Sequence, residues 1–415
     1  MARPKHPESQ MMSFGYRPEW SEGSVKPPVF MTSTFAFKTA EEGKAFFEVA
    51  YGLREQGEDE KLGLIYSRIN NPNLEILEDR LCLWDQAEDG AVFESGMSAI
   101  STLFLEFLKP GDTLLYSLPL YGGTEHFINH FLTEIGVRCI GFYPGETKEE
   151  VIARLDAQKA GDMLALIYVE TPANPTNDLI DIAMCKEIAE AYSTSERQVY
   201  LAADNTYMGP LWSHPLQLGA DLVLYSATKY IGGHSDLIAG AILGGCEVMQ
   251  RIKVLRTFLG NMPSPHTCWL LMRSLETLKV RMEQQARSAR KVAEFLSERE
   301  EVEHLHYLGF LEETSPDYAI YRRQYSSGGA MLSFEIKGGE PAAFRFLNHL
   351  KLIKLAVSLG STESLVQHPA TMTHVGLPDE MKQRIGITPG LIRLSIGVEH
   401  HEDLIADLKR ALEAG

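Results

Sequence analysis

The sequence predicts an α/β protein with a large domain on a mostly parallel sheet, a smaller α+β C-terminal domain and an N-terminal arm. Three observations predict it. From about Asn73 to Arg251, short apolar runs ending in polar or glycine-rich turns alternate with amphipathic stretches, the pattern of strands and crossover helices. A long helical pattern over Thr267–Arg299 then opens a region with its own strands and helices. Residues 1–65 are rich in Pro, Gly, Ser and charge. With 415 residues the chain is long enough for more than one core, since single cores stop growing near ~250–300 residues. The expected division is an arm over 1–72, a large domain over 73–262 and a small domain over 263–415.

Within the arm one helical stretch is expected from about Ala40 to Leu53, and the charge run Arg54–Lys61 reads as a solvated loop. The strands expected next are Gly90–Phe93, Thr113–Tyr116, Leu164–Val169, Val199–Ala203, Leu222–Tyr225 and Ala239–Leu243, with helices over Met97–Phe107 and Ile182–Tyr192 between them. In the C-terminal region, strands are expected at Ala330–Glu335 and Leu391–Ser395, and helices at Pro341–Leu350 and Glu402–Leu412.

Composition narrows the function. The net charge is −17, from 39 Lys+Arg against 56 Asp+Glu. Nucleic acids and anionic membranes select basic surfaces, so neither is an expected partner. The five cysteines are far apart and include no CxxC pair, which argues against a disulfide framework or a zinc site; no metal is expected. The N-terminus lacks the apolar stretch of a signal peptide, and no apolar run reaches the ~18 residues of a membrane span. A cytoplasmic enzyme with a small-molecule substrate is the expectation.

In open α/β sheets, ligands bind beyond the carboxyl ends of the strands. The segments there are Glu94-Ser95-Gly96-Met97 opening a helix, Leu118-Pro119-Leu120-Tyr121-Gly122-Gly123, Glu170-Thr171-Pro172-Ala173-Asn174-Pro175, Asp204-Asn205-Thr206, and Ser226-Ala227-Thr228-Lys229-Tyr230. Together they deliver a phosphate-type loop, an aromatic ring, an amide, a carboxylate and a hydroxyl-flanked lysine. Pyridoxal 5′-phosphate (PLP) needs this set: a lysine amine for the Schiff base, a carboxylate to keep the pyridine nitrogen protonated, donors for the phosphate, and a ring to stack. Taken singly, each residue has a plainer reading. Lys229 would be a solvated surface lysine and Asp204 a helix cap. Ser95-Gly96-Met97 would be a tight turn, Tyr121 a half-buried packing residue, and Asn174 a turn residue between prolines. Their convergence on one sheet edge, in the order one cofactor would need, favours the joint reading.

These segments resemble the Cys/Met-metabolism PLP enzymes of fold type I, from about Phe14 to Leu412. Further motifs that carry the resemblance are Tyr66-Ser67-Arg68 with Asn71-Pro72, Tyr121-Gly122-Gly123-Thr124, Ser358-Leu359-Gly360 and Arg393-Leu394-Ser395. The resemblance implies Lys229 as Schiff-base lysine and proton shuttle, Asp204 as the pyridine-nitrogen partner, and Gly96, Met97, Ser226 and Thr228 as phosphate ligands. It implies Tyr121 as the stacking ring that assists proton transfer. Tyr66 and Arg68 would reach the phosphate of a neighbouring subunit, in a homo-oligomer assembled as a dimer of dimers. Arg393 would clamp the substrate α-carboxylate, with Asn174 and Ser358 beside it.

The chain also departs from particular members. Gly123 stands where methionine γ-lyases carry cysteine, and Val357 where cystathionine enzymes carry glutamate. Arg256 and Thr257 replace a Lys-Asp pair of methionine γ-lyase, and the segment before Tyr66 is about ten residues longer than usual. Val357 offers no acid to the distal ammonium of cystathionine, which favours a γ-elimination lyase acting on a smaller or apolar sulfur amino acid. Two other outcomes stay open on the same fold: γ-replacement on an O-acylhomoserine, as in cystathionine γ-synthase, and transamination.

Overall fold

The computed structural model describes residues 5–57, 60 and 62–414. Residues 1–4 of the expected arm, 58, 59 and 61 of the charge run, and 415 of the small domain lie outside the described residues. The first sheet contains β1 (Asp89–Phe93), β2 (Thr113–Ser117), β3 (Arg138–Phe142), β4 (Leu164–Glu170), β5 (Tyr200–Asp204), β6 (Leu222–Tyr225) and β7 (Gly240–Gly244), in the spatial order β1-β7-β6-β5-β4-β2-β3. Neighbours from β6 through β5, β4 and β2 to β3 are parallel, and β7 alone runs antiparallel, to both β1 and β6. Strands covered on both faces are apolar almost throughout, and β4 (LALIYVE) is buried at every position.

Strand alternation divides the side chains between two faces. Phe93, Tyr168, Ala202 and Leu224 join the cluster under the Gly96–Phe107 helix. Val92, Val223 and Tyr225 face the opposite way, into the cluster that holds the Pro72–Asp85 helix. That second cluster continues without a break into the C-terminal sheet, through Leu332, Phe334 and Leu394. The second sheet contains β8 (Val302–His306), β9 (Met331–Ile336), β10 (Lys354–Leu355), β11 (Leu365–Gln367) and β12 (Leu391–Ser395), ordered β10-β11-β12-β9-β8. The helices Leu278–Ser297, Gly339–His349 and His401–Glu413 accompany it.

All six strands expected in the large domain form, with ends shifted by one residue at most. β3 is an addition. Its sequence RCIGF carries an exposed arginine and a glycine, a weak alternation that suits an edge strand paired on one side only. The long helix expected over Thr267–Arg299 is instead two helices, Pro265–Leu275 and Leu278–Ser297. The break has a local cause. The Ser274 carbonyl, which an unbroken helix would offer to Leu278, accepts from the Thr277 backbone N–H, the Thr277 hydroxyl and the Arg281 guanidinium. In the arm the expected helix stops at Ala50. The charge run that follows is tied locally, because Arg54 donates to Glu48, to Glu60 and to the Ala45 carbonyl. Among the described residues, no helix is long and apolar enough to cross a membrane.

Candidate active site

The carboxyl ends of β1, β4, β5 and β6, with the loop after β2, surround a cavity of about 270 Å³. Eight of the residues singled out in the sequence line it: Gly96, Met97, Tyr121, Asn174, Asp204, Ser226, Thr228 and Lys229. Gly96 and Met97 open the helix after β1, where Ser95 caps by accepting from the Ser98 N–H at 2.9 Å. The first N–H groups of such a helix have no partner inside it and suit an anion. A side chain at position 96 would place its Cβ 2.9 Å from that of Ser226, so only glycine lets the end of β6 close on the helix.

Asp204 is the floor of the cavity. Its carboxylate accepts from the Tyr168 hydroxyl at 3.1 Å and from the Thr206 N–H at 2.9 Å. Burial raises its pKa. The Thr206 hydroxyl accepts in turn from the Ser226 N–H at 2.8 Å, tying the ends of β5 and β6 together. Thr228 is held at both sides by Ala239: its hydroxyl donates to that carbonyl and accepts from that N–H, both at 3.1 Å.

The Lys229 amine donates to the Ser358 hydroxyl at 2.8 Å. Burial, aided by the nearby Arg393 charge, brings its pKa down to about 8. Arg393 lies on β12 and is itself buried. It donates to the Asn174 amide oxygen at 2.9 Å and to the Ser358 carbonyl at 2.7 Å, while its Nε has no partner among the described residues. Ser358 thus touches the lysine with its hydroxyl and the arginine with its carbonyl. It does so at φ 101°, a conformation that costs a non-glycine residue of order 1–3 kcal/mol. Strain of this kind persists where surrounding contacts over-determine it.

Tyr121 is 47% exposed at the mouth. A Cβ at Gly123 would lie 2.6 Å from its ring, so the glycine makes room for the aromatic side chain. Tyr66 and Arg68 are not brought to this cavity. Arg68 donates to the Thr257 carbonyl at 2.6 Å, and its guanidinium sits 5.7 Å from the Tyr66 ring centre. Val357 is 57% exposed.

Three further residues belong to the site: Glu170 and Tyr207 line the cavity, and Tyr168 lies behind Asp204. Glu170 pairs in register with Asp204 on the adjacent parallel strand. Its carboxylate accepts from the Tyr121 N–H at 2.8 Å, and burial together with the Asp204 charge pushes it up to about 8. Tyr168, two residues earlier on the same strand face, supplies the hydroxyl on Asp204. Tyr207 is buried with its hydroxyl unpartnered among the described residues. Register and alternation were the available signals for the first two: adjacent parallel strands of equal phase place Glu170 beside Asp204, and period two places Tyr168 with them.

The donor set fits PLP. A buried carboxylate stands where a pyridinium proton would be held. The residues that open the helix at Gly96 and Met97, the Ser226 and Thr228 positions and a desolvated lysine line the same cavity. A buried arginine with an unused donor lies beyond the lysine, as an amino-acid carboxylate requires. Among the described residues, no cluster of three or more His, Cys, Asp or Glu side chains could hold a metal ion.

Comparison with known proteins agrees. The family model described as Cys/Met metabolism PLP-dependent enzyme matches residues 8–413. The chain is 41% identical to L-methionine gamma-lyase of Pseudomonas putida, over 96% of this chain and 95% of that one. It is 35% identical to cystathionine gamma-lyase of Mus musculus, over 99% and 96%. Cystathionine gamma synthase of Xanthomonas oryzae pv. oryzae, solved in complex with aminoacrylate and cysteine, superposes with a TM-score of 0.87 at 32% identity, covering 99% of each chain.

Proposed function

The chain belongs to the Cys/Met-metabolism PLP-dependent enzyme family, and on that premise we propose that it is a carbon–sulfur lyase of sulfur amino acids. It releases 2-oxobutanoate, ammonia and a thiol by γ-elimination. The observation that supports this reading most is the 41% identity to L-methionine gamma-lyase of Pseudomonas putida over 96% of the chain, with the lysine and the arginine meeting at Ser358.

When bound, PLP supplies an electron sink that acidifies Cα–H and then Cβ–H of the amino acid. The protein's residues do the rest. With a pKa near 8, the Lys229 amine is neutral in an appreciable fraction of molecules at physiological pH, so its Nζ can anchor the cofactor aldehyde and afterwards carry protons between Cα and the leaving end. Asp204 holds the proton of the pyridine nitrogen. Gly96, Met97, Ser226 and Thr228 hold the phosphate, and Tyr121 stacks on the ring and assists proton transfer. Arg393 clamps the α-carboxylate, held in place by Asn174 and by the Ser358 carbonyl. Val357 leaves a distal ammonium without a charged partner, and an unpaired charge is costly to desolvate. Methionine or homocysteine, or an O-acylhomoserine whose γ-group leaves as a carboxylic acid in place of a thiol, is therefore preferred to cystathionine.

A second reading, γ-replacement on an O-acylhomoserine, is favoured by the likeness to the X. oryzae synthase. One experiment separates the two: the purified enzyme is given methionine, homocysteine, O-acylhomoserine with cysteine, and cystathionine, and the products are identified. Release of 2-oxobutanoate from methionine without a second nucleophile supports the lyase. Joining of cysteine to the activated homoserine without oxo acid supports the synthase.

Tyr66 and Arg68 lie outside the cavity of their own chain, and we take them to complete a neighbour's phosphate site. The functional unit is then a two-fold dimer, paired into a homotetramer. Arg68→Ala and Lys229→Ala chains, each inactive, recover partial activity when mixed; an active monomer in sedimentation rules the assembly out. The five free cysteines favour a cytoplasmic location.

A further inference from the structure

The ends of β5 and β6 have two sides. Asp204, Thr206 and Ser226 face the cavity, whereas the residues between them, Asn205 and Tyr225, point the other way, toward the Pro72–Asp85 helix. There they meet Asp85, the last residue of that helix, which is 1% exposed. A carboxyl at the carbonyl end of a helix, buried and, among the described residues, without a cation, is disfavoured three times over in its ionised form. Burial pushes it up to about 8. Such a group persists only where it makes specific contacts.

Among the described residues, its contacts run to one hydroxyl. Tyr225 Oη bonds to both Asp85 oxygens, at 2.8 and 2.9 Å, and accepts from Asn205 Nδ2 at 2.9 Å. The same Nδ2 faces the Ser213 carbonyl at 2.9 Å and the Gly209 carbonyl at 3.1 Å. Two backbone carbonyls fix the orientation of the amide, because a flipped Asn205 would set oxygen against oxygen. The Asn205 N–H also donates to the Leu224 carbonyl at 3.0 Å, so this residue ties β5 to β6 through backbone and side chain alike. The chain Asp85–Tyr225–Asn205 thus reaches the residue just after Asp204 and the residue just before Ser226. On the cavity side the matching tie is the single bond from the Ser226 N–H to Thr206.

We propose that Asp85 is a positioning residue that acts through Tyr225 and Asn205 to hold the two strand ends bearing Asp204 and Ser226 at the spacing PLP requires. It touches neither cofactor nor substrate. The inference rests on the PLP site described above and goes beyond it by assigning part of cofactor affinity to a carboxyl on the far face of the sheet.

The test compares PLP binding to apoprotein of wild type, Tyr225→Phe, Asp85→Asn and Asp85→Leu, by titration of the visible band, with apoprotein melting temperatures alongside. Tyr225→Phe removes one hydroxyl and keeps the packing. Its PLP dissociation constant should rise at least roughly tenfold, the scale of one buried polar group left unpaired, and its visible band should shift. Asp85→Leu should behave like it. Asp85→Asn keeps an oxygen to accept from Tyr225 and should remain within about threefold of wild type. A Tyr225→Phe protein with wild-type PLP affinity and spectrum overturns the proposal, whatever its melting temperature, because the network would then be structural only. Asp85→Asn as weak as Asp85→Leu overturns it too, because the hydrogen bond would not be the link. Wild type that takes up no PLP defeats the reading of the site itself and this inference with it.

Discussion

Asp204 and Ser226 stand at the ends of paired strands, with Lys229 in the turn just after β6, while Tyr66, Tyr121 and Val357 stand on more exposed loops and the arm. The first group is enclosed: Asp204 has two donors, the Ser226 N–H is fixed by Thr206, and Lys229 is held by Ser358. The second group is open, with exposures of 42%, 47% and 57%. A strand end inherits its position from the ladder on either side, so chemistry placed there is preorganised. A loop residue can change without disturbing a ladder. The difference separates the proposed aldehyde anchor and pyridine partner, on the rigid half, from contacts free to vary on the open half: Tyr121 and Tyr66 toward the cofactor and Val357 toward the amino acid.

The comparison can be broken by substitution, starting where the largest effect is expected. Lys229→Ala should remove proton transfer, worth about 10²–10⁴-fold in kcat, and leave PLP bound, if at all, without a covalent link. Residual turnover above a tenth of wild type would show that the rigid half does not hold the essential base. Arg393→Ala truncates one side of a desolvated ion pair, which costs about 2–5 kcal/mol. kcat/KM should fall by that amount for every amino acid, with the visible band nearly unchanged. A fall confined to one substrate would place Arg393 with the selective half instead.

A pH experiment sharpens the contrast. The Lys229 pKa is lowered, to about 8, so the neutral amine that captures PLP becomes commoner as pH rises through that value. The rate of band formation on adding PLP to apoprotein should increase roughly tenfold between about pH 7 and 9 and then level off. A rate still climbing steeply toward pH 10 would mean an ordinary, solvated lysine. The smallest effect belongs to the open half. Val357→Glu should raise activity on cystathionine relative to methionine by a few-fold, about the ~1 kcal/mol of a half-exposed ion pair, with PLP affinity unchanged. Loss of PLP from this variant would show that the two halves are coupled.

Much of the rigid half was legible in the sequence because period, turn residues and the strand-end rule all pointed to one edge. Gly96, Asp204 and Lys229 each follow an unambiguous apolar run. Glu170 ends an apolar run, and only strand register reveals that it lies beside Asp204. Tyr168 sits within LALIYVE and reads as core, which it also is, and its hydroxyl matters only once Asp204 is placed. The helix break after Leu275 depends on which donors reach the Ser274 carbonyl, a competition that hydrophobic periodicity does not register. Asp85 gives no signal in the sequence, because its partner among the described residues lies 140 positions away.

The reversed direction of β7 has a consequence for how the lysine is presented. Because β6 ends and β7 begins at the same edge, the stretch between Ser226 and Ala239 leaves the cavity rim and returns to it. It is stitched there by Thr228 to Ala239 and by Gly240, whose added Cβ would lie 2.2 Å from the Ser95 oxygen. Lys229 therefore rides on a handle fastened at both ends, not on a free flap. Lengthening that handle, or cutting it in a circular permutant, would unfasten the amine while leaving every strand in place.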